Sequence, residues 1–244
     1  MRRRGLKRLA IIVVCILFFI VGVVWRAPAW LLSDVAGEQL AGVELGVAKG
    51  SLWRGEFSHV GVQGVTLRGV SWQLSPLQSF SGKPLALSVA EPANVSLTAG
   101  VKGDALLISG LTATGRLAPV LEAIQVPAMG FDGVFNAQAS EASLTAQGCQ
   151  SLTGNVEIGQ LSGDIDGLES LGQIRAQVSC DAGRLRIVID EANPHRLRGT
   201  VTLDARGVPR GQISLTPPPQ SDIYRSLSQM FGRPRNGKDF TLRL

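Results

Sequence analysis

The sequence predicts a mainly β fold, an antiparallel curved sheet or sandwich-like domain with a few short helices, preceded by one N-terminal transmembrane helix. Three observations carry this. Residues 9–25 are an uncharged apolar run. From residue 43 onward, apolar residues recur at every second position in short stretches. Gly, Asn, Asp and Pro separate these stretches at roughly 8–12 residue intervals, the spacing of all-β folds. Of 244 residues, about 215 follow the first segment, enough for one large β domain or two small ones. Aromatics are only 5% of the chain, so Ala, Gly, Val, Leu, Ser and Thr must do most of the packing.

Arg2, Arg3, Arg4, Lys7 and Arg8 precede Leu9–Trp25 (LAIIVVCILFFIVGVVW), with no acid among them. As a helix this 17-residue run reaches roughly 25 Å, at the short end for a hydrocarbon core of about 30 Å. Lys7, Arg8 and Arg26 can snorkel to the interfaces, and Trp25 and Trp30 stand where interfacial aromatics gather. The excess of basic residues makes residues 1–8 a cytoplasmic tip, 9–27 the anchor and 28–244 an exported domain. A cleaved signal peptide is the rival reading, because Ala27-Pro28-Ala29 has the A-x-A form. The apolar run exceeds the usual h-region of about 7–15 residues, and Arg26 and Pro28 are poor neighbours for cleavage, so an uncleaved anchor is expected.

The net charge of +5 comes from the tip. Residues 26–244 carry 19 basic and 19 acidic side chains, which leaves no electrostatic footprint for nucleic acid. The balance is uneven along the chain: residues 26–170 hold 7 basic and 13 acidic residues, residues 171–244 hold 12 and 6. Charge balance within the molecule explains this, and so does a basic face for an acidic partner or lipid headgroups.

Pro28–Leu40 has helical apolar spacing and reads as a short helix leaving the membrane. The period then becomes two. Val43-Leu45-Val47, Val60–Leu67, Val70-Trp72-Leu74, Leu85-Leu87-Val89, Val95-Leu97 and Leu106-Ile108 are strands. Phe131-Phe135, Leu144, Val156-Ile158, Ile174–Val178, Leu185–Ile189 and Leu197–Leu203 continue the series. Leu117–Gln125 reads as a helix stopped by Pro127. Gln220–Phe231 reads as a second, after three prolines, with Ser221 as N-cap, and Phe240-Leu242 closes the chain as a last strand. Pro127–Gly130 marks a sub-boundary between halves 43–126 and 130–244, without a repeat of fixed period.

Cys15 lies within the apolar run, where a thiol behaves as a small hydrophobe. Cys149 and Cys180 are the two cysteines of the exported part, and an even pair in an oxidising compartment argues for a disulfide. Neither has the C-x-x-C spacing of a redox or zinc site. His59 sits in an alternating stretch and His195 in an Asn-Pro-His-Arg turn; neither has a metal or triad partner nearby, so both read as surface residues. Asp164 and Asp166, two apart on one strand face, lack the further carboxylates that calcium or hydrolysis needs. The glycines at 61, 64 and 69 are followed by no helix and Lys, and Ser51 has no G-x-S-x-G frame. No active site, metal or cofactor is expected.

Two tryptophans stand out. Trp53 lies in Lys49-Gly50-Ser51-Leu52-Trp53-Arg54-Gly55 and Trp72 in Val70-Ser71-Trp72-Gln73-Leu74-Ser75-Pro76, each best read as a core anchor of a sheet. A basic tip, one span, a short helix, G-x-L-W-x-G and V-x-W-x-L-x-P together resemble the type II secretion system protein N family. Phe231-Gly232-Arg233-Pro234 and the closing Phe240-Thr241-Leu242 strand resemble its C-terminal end. The resemblance implies a non-enzymatic accessory protein of the bacterial inner membrane. That protein crosses the membrane once and contacts other inner-membrane subunits of the machine that exports folded periplasmic proteins across the outer membrane. It also implies a distant relation to AsmA-like β proteins, whose apolar groove is associated with phospholipid, so a lipid-binding or lipid-transfer protein is the alternative. Only Gly50, Trp53, Gly55 and Trp72 match the family's motifs, in structural roles.

Overall fold

A computed structural model describes residues 2–31, 42–62, 64–75, 82–123, 130–204, 208–234 and 237–243, with side chains from Ile12 onward except at 21 and 24. Helix α1 (Arg2–Trp25) leads into β1 (Val43–Leu45), β2 (Ala48–Gly50), β3 (Arg54–Val62), β4 (Val65–Leu74), β5 (Leu85–Val89), β6 (Asn94–Lys102) and β7 (Ala105–Arg116). Helix α2 (Leu117–Ala123) precedes β8 (Asp132–Thr145) and β9 (Gly148–Ser162), and a 3-10 turn (Leu168–Leu171) precedes β10 (Ile174–Asp181). Then follow β11 (Arg184–Ile189), β12 (Arg198–Leu203), β13 (Pro209–Leu215), helix α3 (Asp222–Phe231) and β14 (Phe240–Arg243). From β3 to β14 each strand pairs antiparallel with the next, with β1 and β2 end to end along the outer side of β3. This is one open curved sheet; among the described residues no second sheet faces it, so the sandwich-like alternative is set aside.

The alternation divides the sheet into two chemistries. One face carries Trp72, Leu87, Leu97, Ile108, Ala137, Val156, Val178, Ile187 and Val201, some as direct cross-strand partners (Trp72–Leu87–Leu97, Ala137–Val156 and Val178–Ile187–Val201). The other carries hydroxyl pairs that bridge neighbouring strands: Ser71–Ser88, Ser96–Thr112 and Thr98–Ser109, each at 2.7 Å. Such pairs support a ladder at its solvent face. The apolar phase slips by one residue at Gly46-Val47, Ser58-His59 and Arg68-Gly69, at matched positions in three adjacent chains. Leu45, Val60 and Leu67 thus stay in step with Ala48, Phe57 and Val70. Gly69 supplies the left-handed backbone of this slip (φ 62°), and a Cβ there would stand 2.7 Å from that of Ala90.

A single layer cannot bury its apolar face. The accessible surface is 16440 Å², against ~10,500 Å² for a compact monomer of this mass, and most apolar strand residues are half-buried. Among the described residues, a dense cluster (Leu168, Leu171, Ile174 and Ile223) forms where α3 and the 3-10 turn close over β9, β10 and β13, joined by Phe131, Ile158 and Leu215. Ser221 caps α3, its hydroxyl accepting the Tyr224 N–H. Asp132 pairs with Arg116 and accepts the N–H groups of Gly133 and of Ala118 at the start of α2; the Arg116 guanidinium first, and then these donors, hold its carboxyl below the ordinary carboxylate range.

Several expectations meet this structure differently. Asp164 and Asp166 lie in the bend after β9, not on a strand face. Among the described residues no group of three or more metal-binding side chains occurs. His59 is exposed, but His195 is 6% exposed, with Nε2 2.6 Å from the Ser170 hydroxyl. No carboxylate orients its other nitrogen among the described residues, so the pair pins the 3-10 turn to the 193–196 loop. The expected helix after Pro28 falls largely on 32–40, and the sub-boundary on 127–129, outside the described residues; β7 and β8 on either side pair directly. Among the described residues no helix is long and apolar enough to cross a membrane.

Cys149 and Cys180 are joined, with Cα atoms 5.5 Å apart. The β9–β10 ladder ends at Thr153–Ser179, and the bond staples the strands just beyond it. Closing a loop of 31 residues stabilises by up to about 4 kcal/mol in the chain-entropy model. Non-reduced digests should yield the linked peptides, and reduction should lower the melting temperature; free thiols at both positions in exported material would contradict the pairing.

Candidate functional site

Among the described residues, the feature that concentrates sequence-specific geometry is the junction of α1 with the sheet. Residues 27–29 run antiparallel to the β2–β3 turn: Leu52 N–H donates to the Ala27 carbonyl (2.8 Å) and Ala29 N–H to the Gly50 carbonyl (3.2 Å). Pro28 and Ser51 are paired between these bonds. Proline suits this place, since a lone bridge spares its missing donor. Ala29 is 1% exposed, so a small side chain is what the contact admits.

The turn is held from below by Trp72. Its indole N–H donates to the Leu52 carbonyl (3.2 Å), its ring packs on Phe57 with centroids 4.5 Å apart, and it is 4% exposed. A buried indole needs a partner for its N–H, and here that partner is the turn that holds the helix end. Gly55 pairs with Trp72 across β3 and β4. A Cβ at Gly55 would stand 2.5 Å from the Trp72 ring, so glycine is required beneath the indole. Trp53 faces the other way: its ring meets Trp25, the last residue of α1, at 5.7 Å, and its carbonyl accepts the Leu74 N–H (2.7 Å). Arg54 N–H donates to Ser51, closing the turn.

The structure therefore brings Gly50, Trp53, Gly55, Trp72 and Trp25 into one assembly, in which Trp72 is a core residue and Trp53 a half-buried contact to the helix. Arg26 and Trp30 flank the junction and are exposed. Arg2, Arg3, Arg4, Lys7 and Arg8 fall in the first turns of α1, where only the backbone is described. The sequence gives Ala29 and Phe57 no role of this kind, and Pro28 reads there as the first turn of a helix and as part of an A-x-A run set aside as a cleavage site.

Fold and junction define an all-β protein whose single open sheet is tied at its first turn to an N-terminal apolar helix. Residues 41–243 match the family model of type II secretion system (T2SS), protein N, and the chain belongs to that family. No curated protein and no solved structure matches it.

The two tryptophans should separate on mutation. Trp72→Ala should cost about 3–5 kcal/mol, the range for a buried aromatic, and Gly55→Ala should also destabilise, both read as a lower melting temperature. Trp53→Ala should leave the sheet's melting nearly unchanged while amide exchange at 27–29 and 50–52 accelerates. Equal destabilisation by Trp53→Ala and Trp72→Ala would reject this division.

Proposed function

We propose that the chain is a non-enzymatic accessory subunit of the type II secretion system, held in the bacterial inner membrane by α1, with residues 28–244 in the periplasm. There it supports export of folded periplasmic proteins across the outer membrane by contacting other inner-membrane subunits. Family membership over residues 41–243 carries this reading. The described apolar side chains of α1 support the anchor: Ile12, Leu17, Phe18, Phe19 and Val23 all stay more than half exposed. The junction, in this reading, fixes the sheet's attitude to the bilayer, so that Gly50, Trp53, Gly55 and Trp72 serve positioning and not recognition. A periplasmic reporter fused after Leu244 should be active with Met1 retained, and gentle detergent extraction at native expression should recover other inner-membrane subunits of the machine. An N-terminus at Trp30, or recovery of none of those subunits, would count against it.

The apolar face favours a second reading, lipid binding. A cavity of about 590 Å³ lies on it across β7–β12, lined by Ile108, Leu111, Leu144, Val156, Val178 and Leu185. An apolar patch well beyond a few hundred Å² on one chain marks an interaction or lipid site. If lipid occupies it, the purified chain should retain phospholipid after delipidating washes, and Val156→Glu should remove it without unfolding the sheet. Retention unchanged in that variant would assign the lipid to α1 alone.

A further inference from the structure

The antiparallel meander sorts its turns into two rows, one at each end of the strands, and the rows differ in chemistry. The row on the side of the α1 junction holds the β2–β3, β6–β7, β8–β9, β10–β11 and β12–β13 turns, all short, and the longer connection from β4 to β5. Its flanks carry exposed Lys49, Arg54, Lys102, Arg184 and Arg210, none of which makes an ion pair among the described residues. Of the acids there, Asp181 is paired with Arg186 and Asp204 accepts the Val208 N–H, which leaves Asp104 and Glu56, the latter across the ladder from Lys49, against five cations. The opposite row holds α2, α3 and the 3-10 turn, and most of its arginines are neutralised: Arg68 by Glu91, Arg116 by Asp132, Arg198 by Asp239 and Arg225 by Asp222. Arg196 and Arg233 stand outside any ion pair among the described residues, and Met230 and Phe231 are exposed on α3.

Exposed apolar side chains share the first row with the unpaired cations. Val101 is 69% exposed beside Lys102, and Leu106 (40%) faces it across the β6–β7 turn. Val208 (45%) precedes Arg210, and Trp25 (64%) and Trp30 (55%) flank the junction. Strand spacing puts the β6–β7 turn about 15–20 Å from the β2–β3 turn that holds α1. Apolar tips beside unpaired cations, continuous with an apolar helix, match the layered chemistry of a bilayer surface, where aliphatic groups enter the acyl boundary and ammonium or guanidinium groups meet phosphates.

From this arrangement we propose that the junction-side row of turns, led by the β6–β7 hairpin, is a docking rim for anionic phospholipid headgroups on the leaflet from which the chain emerges. The proposal rests on α1 being in the bilayer, and the test reads the two separately. The full chain is reconstituted in nanodiscs of equal parts phosphatidylcholine and phosphatidylglycerol, and in nanodiscs of phosphatidylcholine alone. A spin label on native Cys15 reports α1. In a Cys15→Ser background, a label at Val101→Cys reports the rim and one at Glu191→Cys the opposite row. With phosphatidylglycerol, the Val101→Cys label should be several-fold less accessible to a water-soluble nickel chelate than the Glu191→Cys label. That protection should weaken without phosphatidylglycerol and on adding Lys102→Glu. If Cys15 lies in lipid while the two reporter labels are equally accessible, the rim proposal fails and the anchor stands; the free cations would then belong to an acidic protein partner. Protection indifferent to both phosphatidylglycerol and Lys102→Glu overturns the headgroup assignment. An aqueous Cys15 label overturns anchor and rim together.

Discussion

Everything in this molecule follows from the period of two in a sheet of one layer. Each strand presents apolar and hydroxyl-rich faces, and each hairpin hands the same division to its neighbour. A second sheet or a layer of helices is how most β proteins cover such an apolar face. Here α3 and the 3-10 turn cover one corner, around Leu168, Leu171 and Ile223, and the rest of the face stays half-buried. The stability of such a sheet lies in its ladder and cross-strand pairs, with half-buried side chains each contributing less than the ~1.5–3 kcal/mol of a fully buried one.

That architecture explains where rigid fastenings occur. A central strand is held on both sides, whereas strand ends and sheet edges are held weakly and need local devices. The Cys149–Cys180 bond closes the β9–β10 pair beyond its last ladder residues. Ser170 and His195 pin the two loops that flank β10 and β11. At the other edge, the short β1 and β2 pair only with β3, and the 27–29 segment adds a further bridge to the turn that follows β2. Each fastening sits where the meander itself provides least.

Much of this was legible because alternation is a local signal. The strands, the Ser221 cap, the last strand at Phe240 and the cysteine pair follow from spacing and chemistry near in sequence. What alternation cannot say is what lies against a face, which is why a sandwich and a single curved layer read alike. The phase slips could have been seen: Leu67 and Val70, or Ile108 and Leu111, are three apart, with Gly69 and Gly110 between them. The burial of His195 could not, because its partner Ser170 is 25 positions away in a turn without periodicity. In the site, each tryptophan was visible as an aromatic in a strand. Their division of labour was not, since it depends on the contact of Trp53 with Trp25 and of Trp72 with Leu52.

The junction also shows why the motif needs both tryptophans and both glycines. A helix joined to a sheet by a free linker would leave the sheet's orientation undetermined, because each unrestrained residue adds two soft dihedrals. The bonds from Leu52 to Ala27 and from Ala29 to Gly50 remove that freedom within three residues of the Trp25–Trp53 contact. They hold only if the turn itself is stiff, and the indole of Trp72 braces it through the Leu52 carbonyl. The indole in turn can lie there only because Gly55 has no Cβ. Read in that order, G-x-L-W-x-G and V-x-W-x-L form one mechanical unit, and its output is a fixed angle between a helix axis and fourteen strands.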